Sequence, residues 1–285
     1  MSADRSAFGA FLRARRDRLT PAQAGIDAFP GPRRVPGLRR EELAMLAGLS
    51  TDHYSRLEQG RQSTVSESVL TALIRALRLD EAEAAHLRDL AAPTSRSRPP
   101  APEVQRPDPG LMRLLATLHH VPVLLLGQRA EVLARNTLLA AVLGRPLHPG
   151  SSFMDYLFGD PSARERIVNW AEFGARAIAA MRMEAGRRPH DQRLADNVRK
   201  LLDTDPDAAR WWQDHTVRDY APVSKVIRHP DAGLLEFGVE IVSAPHLPEQ
   251  HLVVYTVEPG SPTARVLPIL ASWATDATTP VSPPR

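Results

Sequence analysis

The stretch Arg40-Glu41-Glu42-Leu43-Ala44-Met45-Leu46-Ala47-Gly48-Leu49-Ser50-Thr51-Asp52-His53-Tyr54-Ser55-Arg56-Leu57-Glu58 decides the reading of the N-terminal third of the chain. Its spacing predicts two short helices that cross steeply about a tight turn. Ala44 is small where the second helix crosses the first, and Gly48 stands where the chain reverses, a position that favours positive φ. Ser50 is placed to cap the second helix. Leu43, Leu46, Leu49, Tyr54 and Leu57 fall on the inward side, which leaves Thr51, Asp52, Ser55 and Arg56 on the outer face.

Working outward, apolar periodicity predicts further helices over residues 6–19, 66–78 and 80–91, giving five in all with 39–47 and 51–59. Ser66 and Asp80 are the expected N-caps. Between Arg5 and Arg61 stand eleven arginines against six acids, a net +5, whereas residues 62–92 carry −2. The whole chain is only +3, so the positive charge is concentrated on the segment that holds the helical pair, as a phosphate-binding footprint requires. Lysine occurs only at Lys200 and Lys225; this scarcity reads as compositional.

Six prolines between residues 93 and 109 predict an extended linker over 93–110. Beyond it, residues 111–274 form the second expected domain, and a Pro-rich tail over 275–285 reads as disordered. Apolar runs at 122–126, 131–134, 223–227, 234–242 and 251–257 predict strands, and residues 161–185, 191–202, 205–215 and 262–274 predict helices. Two strands, several helices, three strands and a final helix suggest one antiparallel sheet in an α+β domain. With no cysteine, disulfides and thiolate metal sites are excluded. No apolar run is long enough to span a bilayer, and the first ten residues lack the apolar core of a secretory signal, so a cytoplasmic protein is expected. No phosphate loop, nucleophile elbow or metal-binding helix pair is present, and His119-His120 are adjacent and cannot face one ligand from a helix. Neither an enzyme nor a cofactor or metal site is expected.

Residues 6–92 resemble the XRE-type helix-turn-helix domain, on the runs RRVPGLRREELAMLAGLS and YSRLEQGR. The resemblance implies a bacterial double-stranded-DNA binder with its third helix, about Thr51–Gln59, in the major groove. Thr51, Asp52 and Arg56, flanked by Ser50 and Ser55, then fall where base edges are read, while Arg40 and Arg61 match phosphate contacts. Arg16 and Glu58 match an internal ion pair and are left out of the interface. Two readings of Asp52 and Arg56 stand: Arg56 on guanine and Asp52 on cytosine, or the two paired with each other at i, i+4. The connection from Thr20 to Arg39 is longer than usual. Its Arg33 and Arg34 either reach along the DNA or lie on a solvated loop.

The second domain resembles the MmyB-like ligand-binding domain, a PAS-like fold. The carrying residues are 132–136, 158–161, Trp170, 212–217, 229–233 and 253–261. The resemblance implies a small apolar ligand of the fatty-acid class. Arg135 departs from the aromatic usual at its position. Phe153, Tyr156, Leu157, Phe158, Trp170, Phe173, Trp212, Phe237 and Tyr255 suit either a pocket or a core. Arg135 or His215 is available to anchor a carboxylate, with Asn136 beside the first, and both suit structural roles equally. A single recognition helix reads few base pairs, so a homodimer on paired half-sites is expected. The alternative is a second domain that only dimerises or recruits a protein.

Overall fold

The computed structural model describes residues 3–27, 29, 37–62, 64–92, 105–217, 223–244 and 246–276. The chain divides into two compact units. One holds Met1–Pro100 together with Ile178–Asp219, the other Ala101–Ala177 together with Tyr220–Arg285.

The first unit opens with α1 (Ala3–Arg18) and α2 (Pro21–Ala24), followed by α3 (Arg40–Ala47), α4 (Thr51–Glu58), α5 (Glu67–Ala76) and α6 (Glu81–Ala91). The five expected helices are present, and α2 adds a turn within the Thr20–Arg39 connection. Thr20 and Gln23 form a reciprocal capping box around Pro21, whose fixed φ suits a first helical position. Arg33 and Arg34 lie outside the described residues, as does most of the expected linker and of the tail. The core gathers Phe8, Phe11, Leu12, Leu43, Tyr54, Leu57, Leu73 and Leu87. Burial of each such side chain contributes roughly 1.5–3 kcal/mol. Gly9 is required where α1 meets α4, because a Cβ there would stand 2.2 Å from the Glu58 carbonyl oxygen. Met183 and Val217, from the distant segment 178–217, are buried in the same core. That segment carries α12 (Gln192–Thr204) and α13 (Pro206–Gln213).

The second unit begins with α7 (Pro109–Thr117), a helix that is not among those the apolar pattern predicts. Pro109 at its first turn and the Asp108 cap, accepting from Leu111 N at 2.9 Å, set its start. The strands are β1 (Val123–Leu126), β2 (Val132–Arg135), β3 (Val223–His229), β4 (Gly233–Ala244) and β5 (Leu247–Thr256). They form one sheet in the order β2-β1-β5-β4-β3, and each pairing is antiparallel, as expected. One face carries Val123, Leu125, Leu252 and Val254 in a cluster with Leu111 and Leu115 of α7. The other presents Lys225, Leu235, Phe237, Val239 and Tyr255, all buried. The helices of this unit are completed by α8 (Thr137–Leu143), α9 (Phe153–Gly159), α10 (Pro161–Arg166), the start of α11 (Trp170–Arg187) and α14 (Pro262–Asp276).

The single helix expected over 161–185 is broken at residues 167–169. Ile167 bridges Ile227, Val168 N donates to Val226 O at 2.8 Å, and the Asn169 amide meets Ser224 O and Val226 N. β3 is the last strand of the sheet, and the broken helix satisfies its outer backbone groups. Among the described residues no helix is long and apolar enough to cross a membrane.

Candidate nucleic-acid interface and aromatic cage

The turn between α3 and α4 is fixed locally. Glu42, fully buried, accepts from Arg39 N at 2.7 Å and from Phe29 N at 3.0 Å, anchoring the start of α3. Gly48 takes φ 65°, with nothing within 4 Å of where a Cβ would stand, so glycine is needed there for its conformation alone. Ser50 caps α4 by accepting from His53 N. Leu43, Ala44, Tyr54 and Leu57 are buried, which turns Thr51, Asp52 and Arg56 to the exterior. Ser50 is also exposed, Ser55 is half-buried, and Arg61 lies exposed one turn beyond the helix.

Asp52 and Arg56 pair at 3.1 Å with both side chains mostly exposed. An exposed pair of this kind is worth about 0.3–0.5 kcal/mol, so base edges can compete for either partner. Both sequence readings therefore describe the same side chains, paired in the free protein.

Behind this face lies Glu58, whose carboxylate is fully buried. It accepts from Arg16 Nε and Nη2 at 3.0 and 3.2 Å, from Arg13 Nε at 3.2 Å, and from Arg40 Nε and Nη2 at 3.1 and 2.8 Å. Burial would raise its pKa, but the hydrogen bonds from Arg16 and Arg40 overcome that and hold it at about 2. Arg16 also donates to Leu38 O at 2.7 Å. The ion pair matched by resemblance is thus the centre of a larger network. Arg40 belongs to it with two of its donors, while its side chain remains 43% exposed. Arg13, which sequence reasoning passed over, is drawn in and is 54% exposed. Its spacing from Arg16 on α1 was the available signal.

In the second unit, five of the nominated aromatics meet around a residue that was not nominated. Lys225 is completely buried, and its Nζ lies 4.4 Å from the Phe173 ring centroid, 5.3 Å from Tyr255, 5.5 Å from Phe153 and 5.9 Å from Tyr156. It donates to the Tyr255 hydroxyl at 3.1 Å. Phe237 pairs with Lys225 across β3 and β4 and packs edge-on to Tyr255. Ring faces carry negative charge and attract the ammonium. Burial nevertheless lowers the lysine pKa to about 7 and raises that of Tyr255. The signal was in the sequence: Val223, Lys225 and Ile227 alternate, so lysine falls on an otherwise apolar face.

The other nominees stand elsewhere. Phe158 and Trp170 pack edge-on, with the Trp170 indole donating to Leu157 O at 2.9 Å and Arg164 stacked 3.6 Å over its ring. Asn136 caps α8, accepts from Val123 N, and donates to Leu118 O and Val121 O. Arg135 donates to Leu147 O and Asn136 O. Trp212 and His215 fall in the first unit.

Residues 107–270 match the model of the MmyB-like transcription regulator ligand binding domain, and residues 7–87 match a helix-turn-helix domain model. No curated protein matches the chain.

Proposed function

We propose, for a chain that belongs to the MmyB-like transcription regulator ligand binding domain family, that it is a DNA-binding transcription regulator responsive to a small ligand. The observation that carries the DNA reading is the outer face of α4, where Thr51, Asp52 and Arg56 project from a capped helix whose inner side, Tyr54 and Leu57, is buried. A recognition helix so presented fits the major groove, and Arg56 can bind guanine O6 and N7 in a fork. Arg61, Arg13 and the exposed part of Arg40 supply phosphate contacts that position the helix without reading sequence. Two copies of the chain on paired half-sites give the affinity one helix cannot. The protein acts in the cytoplasm, without catalysis of its own.

The ligand is apolar with an acidic head, of the fatty-acid class. Phe153, Tyr156, Phe173, Phe237 and Tyr255 supply the apolar walls, and a carboxylate gives the buried Lys225 ammonium a counter-charge. Selection of genomic fragments by the purified protein tests the first part. Enriched sites with two-fold symmetry support it, and enrichment unchanged by Arg56→Ala refutes the assignment of α4. Native mass spectrometry tests the second: a co-purifying acid lost in Lys225→Met supports it. A wild-type mass with no adduct, before and after incubation with a long-chain fatty acid, refutes it.

A further inference from the structure

A group of basic side chains in the first unit belongs neither to the recognition face nor to the cage. Arg182 on α11 is 7% exposed. Its Nη1 meets His215 Nδ1 at 3.3 Å, and the Trp212 ring lies 4.2 Å from its Cζ. Its Nε and Nη2 are buried and meet no acceptor among the described residues. These two nitrogens lie along one edge of the planar guanidinium, the edge that receives two oxygens of one oxyanion side by side.

The surroundings add positive charge. Arg15 Nη2 donates to His215 O at 2.7 Å, and Arg18 donates to Asp214 O and, at 3.1 Å, to Thr216 Oγ1. Both arginines of α1 thereby hold the end of α13. Arg15 Nε and His86 Nδ1 are also buried without a partner among the described residues. Glu83 is taken by Arg15, and Asp89 lies 3.5 Å from Arg187, so neither is left to balance Arg182; Asp214 offsets part of its charge without pairing with it. Burial, and then the neighbouring arginines, push His86 to about 3, His215 to about 4 and Arg182 to about 10. Buried like charges are unfavourable unless something of opposite sign completes them.

Of this cluster, His215 also lines a groove of about 800 Å³ with Gln213, Arg13, Asp17, Glu58, Gln59 and Arg61, which Arg182 itself does not line.

We propose that Arg182, with Arg15, Arg18 and His215, forms a binding site for a small phosphate-type dianion, seated on the Nε and Nη2 edge of Arg182. The excess of buried positive charge favours a dianion over a monocarboxylate. Bound there, the anion ties the segment 178–217 to α1 and so to the DNA-reading helices. This site is separate from the apolar-ligand reading and does not depend on it.

The test is a titration of the full-length chain with inorganic phosphate at constant ionic strength, followed by calorimetry and thermal unfolding, with acetate in parallel. Phosphate should bind and raise the unfolding temperature, and acetate should bind at least tenfold more weakly. Arg182→Lys, which keeps the charge and loses the fork, should bind phosphate at least tenfold more weakly. Arg182→Met should abolish binding while unfolding no earlier than wild type in phosphate-free buffer, because a buried charge that Asp214 offsets only in part has been removed. The proposal is overturned if phosphate gives wild type neither heat nor a shift, or if the Arg182→Lys protein responds as strongly as wild type.

Discussion

Replacing Glu58 with Gln keeps the shape of the side chain and removes the fully buried one of the two carboxylates, Glu58 and Asp17, that pair with buried Arg16. The size of the effect follows from the carboxyl itself. Its ordinary pKa of 4.5 is lowered to about 2, and at about 1.36 kcal/mol per pH unit the folded state favours the ionised form by ~3 kcal/mol. Breaking a buried pair from one side costs about 3–5 kcal/mol, which agrees. The expected loss for Glu58→Gln at neutral pH is therefore ~3 kcal/mol, confined to the first unit. Hydrogen exchange of the α1 and α4 amides in the full-length chain reads this directly, as roughly 100-fold faster exchange. The pH dependence supplies a second check. A depressed carboxylate pKa stabilises above about 4.5, and the contribution is lost as pH falls toward about 2. Wild type should weaken through that window, and Glu58→Gln should lack this part of the slope. A change in exchange under tenfold, or an unaltered acid slope, refutes the assignment of Glu58 as the hub joining α1, α3 and α4.

The remaining expectations concern conformation, DNA and the cage. Arg56→Ala should relax base preference at one position of each half-site, whereas Arg61→Ala should weaken all sequences alike and reduce the salt slope by about 1, both read by binding assays across salt concentrations. Gly9→Ala should disrupt α1 packing, because its Cβ meets the Glu58 carbonyl oxygen at 2.2 Å. Gly48→Asn should lose only about 1 kcal/mol or less, because that site is open and needs only positive φ. Thermal unfolding separates the two. Lys225→Met should raise stability at neutral pH. With a folded pKa of about 7 against an ordinary 10.5, the unfolded chain binds the extra proton between those values, so wild-type stability rises with pH across that window and the variant's should not.

The helical pair was legible because its determinants are local. Gly48, Ser50 and the inward leucines act within a few residues, and the structure places each as its spacing implied. The strands were legible along the chain for the same reason, since a short apolar run marks a strand wherever its partner lies, but their order in the sheet was not. The helix break at 167–169 was not, because it is set by pairing with β3 some sixty residues later. Arg182 and Lys225 show the same limit differently. Each is an ordinary basic residue in its own neighbourhood, and each becomes unusual only when folding surrounds it with groups that do not neutralise it. Lys225 came closest to being readable, because its inward place in the alternation of β3 conflicts with its charge. A charged residue at an apolar position is either an unfavourable accident of folding or half of an interaction whose other half is supplied from outside. Four aromatic rings and a tyrosine hydroxyl arranged about one ammonium favour the second explanation.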